Sequence, residues 1–301
     1  MKMHPDEVAI DSALVGRLVA SQFPEWANLP IVPVPQRGTD NALYRLGESM
    51  VVRLPRRQMN AGQLEKECRW LPRLGPLLPL AVPLPLASGR PDHDYPFPWA
   101  IYRWLEGEPA TSDKIDMGRA APDLATFVAA LQCVDPAGGP PPGDHNAWRG
   151  VPLAMRDEAV QAAIASLGSA IEADAVTAVW QAALNARAWD RAPVWIHGDL
   201  DARNLLAKDG RLTAAIDFGC LGLGDPACDV MVAWKLLRAD SREIFFANLS
   251  VDEPTRARAR GWVISQALIA LAYYTAETNP LLVGEAQRWI AAVLADQGAA
   301  R

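Results

Sequence analysis

Three side chains in the second half of the chain have the types and spacing for phosphate chemistry. Asp199 follows the apolar run Val194-Trp195-Ile196, which reads as a short strand, so Asp199 sits at a strand end. Asn204 comes just before the next apolar run, Leu205–Ala207. Asp209-Gly210, a strong hairpin signal, joins that run to Leu212–Ile216. Asp217 ends the returning strand. The hairpin therefore lets Asp199, Asn204 and Asp217 face one cleft. A carboxylate, a carboxamide oxygen and a second carboxylate form a hard-oxygen set suited to Mg²⁺ bridging phosphates. Phe218-Gly219 permits a sharp turn beside Asp217. A lone Asp at a strand end is more often a cap or turn residue. The joint pattern with Gly224-Asp225-Pro226 favours chemistry, because each part supplies the context the others need.

These residues need elements to position them. Asp11–Phe23 reads as an amphipathic helix, with Leu14, Leu18 and Val19 at helical spacing. Ile31–Pro35, Ala42–Leu46 and Met50–Leu54 read as three antiparallel strands with tight connections. Gln63–Leu74 is a charged amphipathic helix carrying Glu65 and Glu67. Pro76–Pro98 is too rich in proline for regular helix. Trp99–Leu105 reads as a buried strand, stopped by Glu106–Pro109. Helices are expected at Asp123–Val134, Met155–Leu167 and Ala173–Ala188, and through most of the chain after Pro226. Trp180, Trp189, Trp234, Trp262 and Trp289 lie on helical patterns and read as core. The expected organisation is a sheet-rich lobe over residues 1–103 and a mainly helical lobe over 104–301.

Composition narrows the function classes. The 301 residues are 50% hydrophobic and 21% charged, an ordinary globular balance. Lys plus Arg is 29 against 35 Asp plus Glu, a net charge of −6. That argues against nucleic acid as a partner, since phosphate backbones want a basic surface. The four cysteines form no C-x-x-C pair and read as reduced thiols, which points to the cytoplasm. No Cys/His cluster or H-E-x-x-H motif suggests zinc. No apolar run is long enough for a membrane span, and the N-terminus lacks a signal-peptide core. Glu106, Glu108, Asp113 and Asp116 read as a solvated loop, with a rim for a cationic substrate as the alternative.

D-x-x-x-x-N followed by D-F-G resembles the catalytic and metal loops of the protein-kinase fold. His197-Gly198-Asp199, with Gly224-Asp225-Pro226-Ala227 and Asp229, resembles the aminoglycoside phosphotransferase family, a group related to choline and other small-molecule kinases. Gly38–Tyr44, Val51–Arg56 and Leu64–Glu67 fit that family more loosely. The resemblance implies an α+β, two-lobed protein-kinase-like fold. It implies an enzyme moving the γ-phosphoryl group of ATP or GTP to a hydroxyl of a small molecule, an aminoglycoside-like compound or another antibiotic. By the same resemblance Asp199 is the catalytic base or orients the acceptor, and Asn204 and Asp217 hold Mg²⁺. Arg53 contacts phosphate, and Glu67 rather than Glu65 is its ion-pair partner. Gly38–Asn41 tips the loop over the phosphates. Trp104 and Leu105 fall at the purine-binding hinge. His197 holds the loop, and Asp225 and Asp229 fix it to the following helix.

Three positions depart from the pattern. Arg53 stands where kinases carry lysine; a fixed guanidinium keeps the charge but is not equivalent. The first-lobe loop has no G-x-G-x-x-G. Asp201 sits where many relatives carry histidine. Two other readings use the same residues differently: a metabolic kinase acting on an amino alcohol or sugar, and a catalytically silent kinase-like binding protein. A protein kinase is disfavoured, because no A-P-E-type segment follows Phe218-Gly219. The sequence leaves the acceptor and the oligomeric state open.

Overall fold

A computed structural model of the chain describes residues 7–35 and 41–299. The chain opens with α1 (Ser12–Gln22), whose N-cap Asp11 accepts from the Leu14 N–H at 2.8 Å. The buried face of α1, Leu14, Val15, Leu18 and Val19, packs into one cluster with Leu46, Val52, Leu54 and Trp99 of the adjoining sheet. That sheet contains β1 (Ile31–Pro33), β2 (Asn41–Leu46) and β3 (Met50–Pro55). After α2 (Gln58–Leu74) it adds β4 (Pro85–Gly89) and β5 (Trp99–Arg103), in the order β1-β2-β3-β5-β4. All its pairings are antiparallel. β2 alternates half-buried and buried positions, as a strand with one face on the core must.

Two features of this region differ from the sequence reading. α2 begins at Gln58 rather than Gln63, so Gly62 lies inside the helix, at a cost of about 1 kcal/mol. β4 lies within the proline-rich stretch. It is an edge strand, and Pro85 is its first residue, where the ladder does not need its N–H.

The rest of the chain is mainly helical. Its elements are β6 (Glu108–Pro109), α3 (Met117–Gln132), α4 (Asp157–Leu167), α5 (Ala173–Asn185), β7 (Val194–Ile196), β8 (Leu205–Lys208), β9 (Arg211–Ala215) and β10 (Gly222–Gly224). Then follow α6 (Ala227–Val230), α7 (Val232–Lys235), α8 (Ala239–Leu249), α9 (Glu253–Tyr273) and α10 (Pro280–Ala299). β6, β8 and β9 form one small sheet, and β7 pairs with β10. α3 starts at Met117, not Asp123, because Asp116 caps it through the Gly118 and Arg119 N–H groups. Pro122 is carried inside at the loss of one hydrogen bond.

Trp180, Trp234, Trp262 and Trp289 are buried core residues. Trp189 is not: it lies past the end of α5, half-buried, with Arg191 stacked on its ring. The larger core extends into the first hundred residues, taking in Trp70, Leu71, Leu74, Leu80 and Val82. Ala81 also bonds to β9, donating to the Thr213 carbonyl at 3.0 Å and accepting from Ala215 at 2.9 Å. α2 therefore places Trp70, Leu71 and Leu74 in the larger core and packs Leu64 against Ala100 and Tyr102 of β5. Among the described residues no helix is long and apolar enough to cross a membrane.

Candidate active site

The β8–β9 hairpin sets the geometry. Asp209 and Gly210 both have positive φ, 52° and 78°, the requirement of a two-residue turn matched to strand twist. Leu205 pairs with Ala215, and the Ile216 N–H donates to the Asn204 carbonyl at 2.8 Å. Asn204 and Asp217 consequently share one end of the hairpin. The strand ends at Ala215, and the left-handed residue is Asp217 itself, with φ 61°, rather than a residue of the Phe218-Gly219 pair. Asp is among the residues that tolerate this region.

The loop before Asn204 is fixed by buried groups. Asp229, fully buried, accepts from the His197 N–H at 2.7 Å and the Gly198 N–H at 2.8 Å. Gly198 has φ 82°, and a Cβ there would come within 2.6 Å of the Cys220 carbonyl oxygen. The His197 ring packs against Phe218 at a tilt of 52°, with ring centroids 4.5 Å apart. Its Nε2 lies 3.0 Å from the Ile216 carbonyl, and its Nδ1 faces the Asp199 N–H at 3.3 Å. A carbonyl only accepts and an N–H only donates, so these partners require the Nε2–H tautomer. Asp225 accepts from the Ala227 N–H and takes a two-pronged ion pair from Arg258 at 2.6 and 3.1 Å.

Asp199 is 29% exposed, so a ligand hydroxyl can reach it. The Asn204 amide nitrogen donates to the Asp199 carbonyl at 2.8 Å and lies 3.3 Å from its carboxylate. Lys235 Nζ and an Arg149 guanidinium nitrogen are each 3.7 Å from Asp199 Oδ1. Burial pushes the Asp199 carboxyl up, but Lys235, Arg149 and Arg203 outweigh it and hold the group down to about 2. Asp199 is therefore an ionised, weakly basic carboxylate suited to orienting a hydroxyl.

Asp201, the departure from the family pattern, is buried and pairs with Arg203 at 2.5 Å, while its carboxylate lies 3.6 Å from Lys235. Arg203 reaches on to Glu285 at 3.3 Å. Sequence reasoning did not single out Lys235, Arg203 or Arg149. Lys235 did carry a signal: it is the one cation in the apolar run Val230–Leu237. Arg149 carried none.

Across the cleft Arg53 meets Glu67 at 2.6 Å and Asp217 at 3.0 Å. Burial opposes the Arg53 charge, but the two carboxylates raise its pKa well above the ordinary arginine value. Tyr102 donates its hydroxyl to Glu67 at 3.1 Å. Glu65 is exposed and takes no part. The Asn41 amide oxygen, in the orientation its neighbours satisfy, accepts from Arg53 at 2.9 and 3.1 Å. Gly38 lies outside the described residues. Next to Glu67, Lys66 donates to the Gly219 carbonyl at 2.8 Å and the His145 carbonyl at 2.9 Å, tying α2 to the turn after Asp217.

Trp104 does not offer an open ring at the hinge. Its backbone N–H is committed to the Ser49 carbonyl at 2.8 Å, its indole N–H is buried, and Arg45 covers the ring at 4.0 Å while pairing with Glu106. That leaves Leu105, half-buried beside it, and the adjoining backbone. The nearby acids also have local work: Glu108 pairs with Lys114, and Asp116 caps α3.

The oxygen set fits a hard divalent cation. Anchoring the Asn204 amide nitrogen on the Asp199 carbonyl turns its oxygen to the other side, and Asp217 is half-exposed with one oxygen engaged by Arg53. Among the described residues no three His, Cys, Asp or Glu side chains converge as a metal site. A cation here would take its remaining ligands from phosphates and water, the usual habit of Mg²⁺.

The model of the phosphotransferase enzyme family matches residues 31–262. The chain belongs to this family. Solved structures of phosphotransferases share its fold. The GDP complex of aminoglycoside 2'-phosphotransferase-IIIa is 20% identical with a TM-score of 0.74, over 96% of this chain and 100% of that one. The streptomycin–ATP ternary complex of APH(2'')-IIa is 18% identical with a TM-score of 0.61, over 93% and 97%. Macrolide 2'-phosphotransferase MphH from Brachybacterium faecium is 25% identical with a TM-score of 0.61, over 93% and 96%. A search of curated protein sequences finds no match.

Proposed function

We propose that this phosphotransferase moves the γ-phosphoryl group of ATP or GTP to a hydroxyl of a small-molecule antibiotic, a macrolide or an aminoglycoside. The observation that carries the reading is one cleft holding Asp199, Asn204 and Asp217 in register, with the Arg53–Glu67 pair facing Asp217. The acceptor classes come from the fold relatives, which include aminoglycoside and macrolide phosphotransferases, and their GDP and ATP complexes support either nucleotide as donor.

Residues 1–103 and 104–301 act as the two lobes, with nucleotide between them. Leu105 and the backbone after β5 receive the purine. Asn41 is the first residue of β2 rather than the tip of a loop, and its amide serves the phosphates through Arg53. Arg53, held by Glu67 and Asn41, fixes the phosphate end of the nucleotide. Asn204 and Asp217 hold Mg²⁺, which when bound neutralises charge on the phosphates. Asp199 accepts a hydrogen bond from the acceptor hydroxyl and aims it at phosphorus. Its low basicity means the proton moves late, as the new bond forms, so catalysis is positioning plus electrostatic stabilisation. Free thiols and a dependence on nucleoside triphosphate suit the cytoplasm.

The test is product chemistry. The protein with Mg²⁺ and ATP or GTP is incubated with pooled macrolides, then pooled aminoglycosides, and the pools are examined by mass spectrometry. A compound gaining one phosphoryl group supports the reading. Unmodified pools under every nucleotide and metal condition contradict the antibiotic assignment.

A further inference from the structure

Arg149 is an internal guanidinium whose donors are not used up. Its side chain is 15% exposed, and its Nε has no hydrogen-bond partner. The nearest carboxylate, Asp199, is 3.7 Å away, beyond hydrogen-bond range. Among the described residues it also faces the Cys220 and Cys228 thiols, which are weak acceptors. Arginine cannot discharge by losing a proton, so an open, poorly hydrated fork is costly until an anion fills it.

The described cations around it are already engaged. Arg53 is spent on Glu67, Asp217 and Asn41. Arg203 is held by Asp201 and Glu285. Lys235 is wholly buried, bonded to Gln266 at 3.1 Å and lying over the Trp289 ring at 4.3 Å. Arg156 donates to Ser265 at 2.7 Å and reaches the Ala147 carbonyl.

The backbone that presents Arg149 is built at a cost. Ala147 and Trp148 both adopt left-handed φ, 52° and 56°, and Gly150 follows at 80°. A Cβ on Gly150 would meet Gly224 Cα at 2.8 Å, and the Gly150 carbonyl accepts from the Asp225 N–H at 2.9 Å. The buried Asn146 amide holds the Arg149 carbonyl at 3.2 Å. Strain of this kind persists only where surrounding contacts impose it, and it collects at functional sites. Here it delivers a guanidinium to the junction of the Gly198-Asp199 loop and Cys220, beside the carboxylate that would orient the acceptor.

We propose that Arg149 is a catalytic residue whose guanidinium contacts the phosphoryl group while it passes from nucleotide to acceptor. The proposal rests on the phosphotransferase reading above. In that step the bond between acceptor oxygen and phosphorus forms as the bond from phosphorus to the oxygen bridging the β-phosphate breaks. The electron pair leaves on the nucleoside diphosphate, and the hydroxyl proton passes to Asp199 and then to water. Charge spread over the three equatorial oxygens is what an Arg fork stabilises.

The experiment compares the full-length wild type with Arg149→Ala and Arg149→Lys. It measures binding of MgADP alone and of MgADP with aluminium fluoride, a mimic of the group in transfer, alongside slow MgATP hydrolysis. The wild type should bind MgADP more tightly with aluminium fluoride. Both variants should bind MgADP as the wild type does, lose the fluoride enhancement, and hydrolyse ATP on the order of 10²–10³-fold more slowly. Arg149→Lys keeps the charge and guards against a misfolded alanine variant. Variants that retain the enhancement overturn the contact, as does a wild type that binds MgADP but gains nothing from fluoride. A wild type that binds no MgADP at all overturns the phosphotransferase reading itself.

Discussion

The Arg53 guanidinium lies 3.0 Å from the Asp217 carboxylate, joining residues 164 positions apart and closing the sheet-rich region against the turn after β9. The same guanidinium takes Glu67 at 2.6 Å, and Glu67 is fully buried. Glu67→Ala leaves a buried guanidinium with one of its two carboxylates gone. Breaking a buried pair costs about 3–5 kcal/mol, and Asp217 remains as a partner, so a loss near the lower figure is expected in chemical denaturation. A loss below about 1 kcal/mol, the range of an exposed pair, would mean the pair is solvated and does not fix α2.

Arg258 and Asp225 form a second buried pair, this one two-pronged, tying α9 to the segment that leads into α6. Arg258→Met strands the Asp225 carboxylate. The expected result is a stability loss of about 3 kcal/mol or more, read as a lowered thermal midpoint. Because α6 carries Asp229, ATP turnover should fall as well, with MgADP affinity changing much less. Unchanged turnover at reduced stability would show that the pair supports the fold without reaching the loop of Asp199.

Asp199 supplies a pH prediction. Its carboxyl is held down to about 2 against an ordinary value of 3.8. A depressed acid contributes stability that is fully present above its ordinary value and lost as pH falls from about 4 toward 2. Between pH 5 and 8 the group stays ionised, so the turnover profile should show no acid limb from it. Lys235→Met removes the strongest of the neighbouring cations and should lift that limb by about one pH unit or more. A wild-type limb near pH 6 that vanishes in Asp199→Asn would contradict this electrostatic picture.

Asp217→Ala and Asn204→Ala separate the metal assignment from the rest of the site. Calorimetric titration of ATP with and without Mg²⁺ should show that the wild type binds more tightly with the metal. Both variants should lose that gain, Asp217→Ala the more completely. Retention of the full Mg²⁺ effect in both would place the metal on other ligands.

The hairpin was legible because Asp209-Gly210 dictates its turn, and register then forces Asn204 and Asp217 to one end. Helices α1 and α5 were legible from apolar spacing. The starts of α2 and α3 were not, because Gly62 and Pro122 read as breakers, yet packing and the Asp116 cap carry both inside helices. β4 was hidden since an edge strand needs few of the hydrogen bonds that proline removes. Glu67 could be chosen over Glu65 only by family spacing; burial against Arg53 supplies the physical reason. Arg149 was invisible, for its place depends on left-handed backbone at Ala147 and Trp148, residue types that give no warning of it.

The most direct test is MgATP and MgGTP consumption with pooled macrolides and aminoglycosides, wild type against Asp199→Ala. The expected result is acceptor-stimulated turnover in the wild type that falls about 10²–10⁴-fold in the variant, with MgADP binding and the thermal midpoint retained. Stimulated turnover that survives in Asp199→Ala would contradict the account, because the carboxylate at its centre would then do nothing for the hydroxyl.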